Sequence, residues 1–457
     1  MQSAAPPVRA IEALSSVVRG RVVRPEDPDY DDVRKIHNGM IDRRPAAIVR
    51  CAGATDVLQC VRMARERGLL VSVRGGGHGL PGFAVCDGGL MIDLSLANGV
   101  RVHPQSQTAR AQGGATWGDF DHEAQAFGLA TTGGVMRTTG VAGLTLSGGH
   151  GLLMRKHGLA CDNLLSADVV TADGRVLTAS AQENSDLFWG LRGGGGNFGV
   201  VTSFEYRVHP AGTVLGGLLF YPFEQAAKVL KAYDEFTGWA PDELGSLAAL
   251  ATLPDETKAV AILLVYAGPL SRGEEVIAPL RKLGPLLADQ VGPMPYTAAQ
   301  SIAENFNPRG LRNYWKTAYV AGLNDSLIAA MVERHARVPS PWTHQVIYTL
   351  GGAVARVGPD ETAVSYRDAR HVFLAIGMWD DPARDEEHVG YVRELWSAVQ
   401  PFSSGGFYPN YEGEAAALGQ IQAAFGPAKY QKLVALKKKY DPENFFRMNQ
   451  NIDPASA

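Results

Sequence analysis

Cysteine is scarce, charge is balanced and long apolar runs are missing. The four cysteines, at 51, 60, 86 and 161, show neither C-x-x-C nor zinc-ligand spacing, which excludes a disulfide framework and a cysteine-held metal and suits a reducing compartment. Neither sign of charge dominates, since 43 Lys and Arg face 47 Asp and Glu for a net charge of -4. The basic residues are scattered, so no stripe exists to follow a nucleic-acid backbone. No segment approaches about 18 uninterrupted apolar residues, and the opening "MQSAAPPVRAIEALSSVVRG" lacks the continuous apolar core of a secretory leader. The expectation is a cytoplasmic chain with no metal and with neither nucleic acid nor membrane as partner. Oligomeric state stays open.

Glycine is abundant. The 457 residues include 52 Gly beside 26 Pro, a combined share above the usual value of about 12%. They cluster, so they are expected to shape particular loops. A chain of this length exceeds a single ordinary core, which predicts two domains. "PAAIVRCAGATDVLQCVRMARERGLLVSVRGGGHG" reads as strand, helix, strand and loop, with Thr55 or Asp56 as helix cap. In "ATWGDFDHEAQAFG", Trp117, Phe120 and Ala124 recur at helical spacing, and "ADVVTADGRVLTAS" carries the Asp-Gly signal of a hairpin. After Pro210 the texture changes to longer alternations such as "AVAILLVYAG", broken by helical stretches; this predicts an antiparallel sheet with helices on one side. The tail "GPAKYQKLVALKKKYDP" predicts a helix with a solvated basic face.

Three glycine loops deserve separate weighing. "GGGNFG", Gly194 to Gly199, satisfies G-x-G-x-x-G, but "VVTSFEYRV" after it alternates as a strand and not as the helix a dinucleotide motif needs. "VRGGGHG" lacks the G-K-[ST] of a P-loop. Together with "TTGGVMRTTGVAGLTLSGGHG", these loops let peptide N–H groups approach an extended polyanion without a clashing Cβ, as a phosphate-containing cofactor requires. His78, inside the first loop, could be a metal ligand, a proton carrier, a packed residue or a covalent attachment point. Its neighbours show no ligand spacing, and a deprotonated imidazole nitrogen is a competent nucleophile.

In order along the chain, "RPAAIVRCAGATDVLQCVRMARERGLLVSVRGGGHG", "GGLMIDLS", "RAQGGATWGDF", "KHGLACDNLLSADVVTADG", "LFWGLRGGGGNFGVVTSFEY", "NYWKTAYV", "FYPNYEGE" and "YDPENFFRMNQNI" resemble the FAD-linked oxidases of the berberine bridge enzyme and 6-hydroxynicotine oxidase group, within the vanillyl-alcohol oxidase superfamily. The resemblance implies an α+β fold: a two-part FAD-binding domain over 1–211, PCMH-type from about 43; an antiparallel-sheet substrate domain covered by helices over 212–400; and a segment 401–457 returning to the first domain. It also implies FAD bonded through its 8α-methyl carbon to His78, which eases flavin reduction. Arg74, Gly75, Gly76, Gly77 and Gly79 would hold the pyrophosphate side, and Thr138, Thr139, Gly143, Val200, Asn449 and Asn451 would line FAD. Relatives with a second link carry a cysteine where this chain has Met136 in "MRTTG", and Cys161 lies 83 residues past His78, so attachment is expected to be single.

By the same resemblance the side chains of this segment, Tyr408 and Asn410 foremost, face FAD; Tyr408 is the leading base or proton relay, with Asn410 and Tyr411 positioning. A phenol has a pKa of about 10, so Tyr408 needs help, and Lys316 is the candidate cation. The expected activity is hydride removal from a C–O or C–N carbon of an aromatic or polycyclic small molecule, with O2 as acceptor and hydrogen peroxide as product. A carbohydrate oxidase, a dehydrogenase with another acceptor and a flavin-binding protein are the alternatives.

Overall fold

The computed structural model describes residues 8–456, and its mixed α+β architecture matches the expectation. Three parallel strands, Ala47–Arg50, Leu90–Asp93 and Val71–Arg74, form a small sheet with Arg21–Val23 added antiparallel at one edge. The helix Ala54–Glu66 covers it with Val57, Cys60, Val61 and Ala64. Its N-cap is Gly53, not Thr55 or Asp56. Asp56 instead accepts from the N–H groups of Arg19, Gly20 and Ala52, and so ties down the chain entering the helix. A second, antiparallel sheet runs in the order Val100–His103, Thr108–Gln112, Val200–Arg207, Leu164–Val170, Val176–Ser180. Its last pair is the hairpin expected at Asp173-Gly174. The segment after the third glycine loop is a strand, as the alternation predicted. Helix Trp117–Gln125 opens with a Thr116/Asp119 capping box and buries Trp117, Phe120 and Ala124.

Residues 213–379 supply an eight-stranded antiparallel sheet. Its helices, Ala226–Thr237, Leu270–Arg281, Asp325–His335 and Asp385–Val399, pack on one face with Ala248, Leu250, Ile262, Leu264, Phe373 and Ala375. Successive side chains of a strand point to opposite faces, so Leu247, Ala249, Ala261, Leu263, Leu374 and Ile376 turn the other way, toward an internal cavity. Both faces are buried, which is why these strands read as near-continuous apolar runs.

The final helix, Pro427–Tyr440, packs into the core of the second sheet through Leu433, Val434 and Leu436. Its basic face is only partly solvated. Lys437 is fully buried and donates to Asp441 (2.7 Å) and to the carbonyls of Asn197 and Phe446 (both 2.8 Å). That knot folds the segment after the helix back toward the third glycine loop.

Burial holds several imidazoles neutral: His157 and His335 are pushed down to about 3, and His209 and His344 to about 4. Because these folded values lie below that of a free imidazole, the unfolded chain binds more protons, and stability is lost as pH falls from about 6.5 toward 4. Burial raises Asp121 and Glu412 to about 7 and works in the opposite sense, but two carboxyls are outnumbered. The melting temperature is predicted to be several degrees lower at about pH 5 than at about pH 7.5 by calorimetry; a flat or rising profile over that range would show that the imidazoles are not held neutral.

Candidate functional site

Strand Val71–Arg74 delivers the chain into the first glycine loop. Arg74 does not reach the cavity: its guanidinium makes a two-pronged pair with buried Asp93 (3.0 and 2.6 Å) and donates to the carbonyls of Val33 and Lys35. Beyond it, the peptide N–H groups of Gly76, Gly77, His78 and Gly79 make no hydrogen bond among the described residues. Four successive donors without a protein partner are what an anion-binding site requires. The first two glycine loops meet main chain to main chain. A Cβ on Gly76 would lie 2.3 Å from the nitrogen of Gly140, and one on Gly140 equally close to that of Gly76.

The cavity is walled by the loops at Gly75–Gly79, Gly140–Gly143 and Gly193–Gly196, by Thr139, Val200 and Asn449, and on the far side by the sheet face described above. At Gly79, Gly143 and Gly196 an added Cβ would meet nothing within 4 Å, so the main chain is bare where it faces the cavity. Asn449 donates its amide to the carbonyls of Gly196 and Phe446, and its side-chain oxygen is buried without a partner. Free peptide donors, bare glycine walls and an orphaned amide oxygen fit an extended phosphate-bearing cofactor such as FAD. Thr138, which is exposed, and Asn451 are not among the wall residues. The carbonyl of Thr138 lies beside His78, while the side-chain oxygen of Asn451 is buried and unpartnered.

His78 lines the cavity and is stacked on His37, with centroids 4.2 Å apart and planes 16° from parallel. Burial, then His37 and Arg309, push it down to about 3, so the ring is neutral and carries a free lone pair. His37 is a wall residue with no signal in the sequence. The four cysteines are buried and unpaired, and Cys161 is not on the cavity wall, whereas Met136 is.

The C-terminal segment places Asn410 and Tyr411 on the wall and Tyr408 behind it. Tyr408 is 1% exposed. Its hydroxyl accepts from the N–H groups of Gly149 (2.9 Å) and His150 (3.2 Å) and from the Asn410 amide (2.8 Å), and its ring stacks on His150 at 3.8 Å. Burial outweighs those donors and raises it to about 12. The expected partnership with Lys316 is absent. On strand Arg312–Val320, Trp315 turns to the cavity, so Lys316 faces the helices with Tyr314, by strand alternation. There its ammonium pairs with Glu412 and with Glu414 (2.7 Å). Lys316 therefore anchors the segment that carries Asn410 and Tyr411 and does not assist Tyr408.

The substrate-side wall was only partly legible. Tyr348, Val346 and His344 from one strand, with Phe306 and Asn307, complete it. Alternation in the apolar runs could have sorted the strand residues; nothing local marks Phe306 or Asn307.

A cavity walled by bare main chain on one side and by a helix-backed antiparallel sheet on the other defines a class of FAD-linked oxidoreductases, and the comparisons agree. Residues 45–180 match the family described as FAD binding domain, and residues 410–453 that described as berberine and berberine like. The chain is 33% identical over 452 residues to (R)-6-hydroxynicotine oxidase of Paenarthrobacter nicotinovorans, covering 96% of this chain and 98% of that one. The crystal structure of 6-hydroxy-D-nicotine oxidase from Arthrobacter nicotinovorans superposes with a TM-score of 0.89 at 32% identity, again over 96% and 98% of the two chains. A chitooligosaccharide oxidase shares the fold, with a TM-score of 0.85 at 24% identity over 98% and 100%. The chain belongs to the berberine bridge enzyme-like FAD-linked oxidoreductases, the group that includes 6-hydroxynicotine oxidase.

Lys316→Met is predicted to destabilise the protein by about 3–5 kcal/mol, because it leaves the buried Glu412 carboxylate without its cation. Without the ammonium the Glu412 carboxyl rises further, so the loss should be largest in alkaline solution and shrink as pH falls toward about 7, and Glu412→Leu in the same chain should restore part of it. A variant as stable as the parent across pH would contradict the anchoring role.

Proposed function

We propose that the protein is an FAD-dependent oxidase that removes a hydride from a C–O or C–N carbon of an uncharged aromatic or polycyclic small molecule, with O2 as acceptor and hydrogen peroxide as product. The observation that carries the substrate class is the sheet face of the cavity. No Lys, Arg, Asp or Glu is among the wall residues, and the indole N–H of Trp315 is already satisfied by Asn313 (3.2 Å). A wall dominated by apolar and aromatic side chains desolvates a flat ring system at little cost, whereas its few polar side chains, chiefly His344, Asn307, Tyr348 and Tyr411, are too few to partner all the hydroxyls of a sugar.

FAD, when bound, supplies the hydride-accepting N5 position. The remaining work belongs to this chain. Residues 1–211, with the returning segment 401–457, hold the cofactor, and 212–400 shape the substrate space. The free N–H groups of Gly76 to Gly79 take the pyrophosphate. His78, neutral and at the wall, carries the single covalent link, a reading supported by Met136 at the wall and by Cys161 away from it. Asn410, fixed between the Leu144 carbonyl (3.1 Å) and the Tyr408 hydroxyl, orients the reacting face, and Tyr411, packed on Trp315 and Tyr348 (5.9 and 6.1 Å between centroids), forms with them one aromatic wall for the substrate. Tyr408 acts through Asn410, since its hydroxyl is saturated with donors and does not reach the wall. Four reduced, buried cysteines support a cytoplasmic setting.

Acid precipitation followed by peptide mapping should place one FAD on the peptide containing His78, and His78→Ala should release all flavin to the supernatant. With aromatic alcohols or amines as donors, peroxide should form in a 1:1 ratio with oxidised product; turnover confined to oligosaccharides, or flavin that stays reduced in air, would overturn the proposed substrate class or acceptor respectively.

A further inference from the structure

His78 sits in a run of glycines, which provide peptide donors but no side-chain walls to hold an imidazole. The torsion that turns the ring about its Cβ–Cγ bond is broad, so a histidine with only glycine neighbours would sample many orientations. The face it rests on comes from elsewhere in the chain. His37 lies parallel to it at 4.2 Å and also lines the cavity.

We propose that His37 is a positioning residue for flavin attachment: its ring clamps the face of His78 and aims an imidazole nitrogen at the 8α-methyl carbon of FAD. This rests on the covalent link proposed above. Attachment forms one C–N bond and breaks one methyl C–H and the imidazole N–H. The two electrons pass through the flavin ring to O2, which leaves with both protons as hydrogen peroxide. Such a step needs a neutral imidazole held in line with its target, and orientation of this kind accounts for much of the rate of reactions between bound partners.

His37 is held firmly enough to do this. Its N–H donates to the carbonyl of Gly77 (3.0 Å), in the same loop as His78, and its carbonyl accepts from Gly310 (3.3 Å). The next residue, buried Asn38, donates to the carbonyls of Leu80 and Asn313 (both 2.9 Å) and accepts from the N–H of Asn313 (2.9 Å). The pair His37-Asn38 is thus a strap between the loop of His78 and the edge strand of the large sheet. Burial, helped by Arg309, pushes His37 down to about 4, so two neutral rings stack and neither repels the other.

The test follows attachment and not turnover. Full-length protein produced flavin-free in a riboflavin-starved host is given FAD in air, bound flavin is measured by absorbance, and samples are acid-precipitated over time to read the fraction retained in the pellet. His37→Ala and His37→Gln are expected to bind FAD yet attach it at least about tenfold more slowly, while His37→Phe, which keeps a flat ring against His78, should stay within about threefold of the parent. Parental rates in the Ala or Gln variant overturn the proposal, as does a Phe variant as slow as these. Should His37→Ala fail to fold, the Gln and Phe pair decides alone. Pellet flavin absent from the parent at every time overturns the covalent link itself, an outcome distinct from slow variants of an attaching parent.

Discussion

Everything at the cofactor side depends on the approach of two main-chain segments at Gly76 and Gly140. With a Cβ placed at 2.3 Å from the opposing nitrogen, no other residue type fits at either position without moving a backbone. Their contact holds the loop of His78 against the loop leading into helix Val141–Leu146. The peptide donors of Gly76 to Gly79, all on the cavity wall, are left without a partner among the described residues. Unpaired main-chain donors are costly in a protein interior, and an anion is the partner that relieves that cost. The glycines therefore have two separate tasks: some let strands of main chain touch, and others, such as Gly143 and Gly196, keep the space beyond them clear.

On the opposite wall the constraint is alternation. A sheet whose long strands are buried on both faces sorts their residues by parity alone. One parity packs against the helices and the other lines the cavity. Trp315 and Lys316 illustrate the result: adjacent in sequence, one faces the cavity while the other neutralises Glu412 and Glu414 on the far side. The ion pair holds the segment 408–414 against the edge strand, where Gly413 donates to the Trp315 carbonyl (2.8 Å), and this presents Asn410 and Tyr411 to the site. Chemistry at the wall thus rests on charge placed behind it.

The sequence made the sheets, the strand after the third glycine loop and the glycine walls legible, because period-2 patterning and glycine clustering are local signals. It made side-chain direction at strand ends and in returning segments much less so. Arg74 looked like a phosphate ligand and is taken by Asp93, 19 residues away. Lys316 looked like a partner for Tyr408, although the parity of "NYWKTAYV" already puts it opposite Trp315. Tyr408 is drawn beneath the wall by the N–H groups of Gly149 and His150, more than 250 residues earlier. His37 had no signal at all, since a stack between segments 41 residues apart leaves no local pattern.

We infer that the bare main chain at the glycine loops is the cofactor's own space. Gly143 tests it most directly, because it is helical, lines the cavity, and an added Cβ there meets no protein atom within 4 Å. Flavin absorbance per mole of Gly143→Leu should fall to near zero while circular dichroism and melting show a folded chain. Full flavin content in that folded variant would contradict the account.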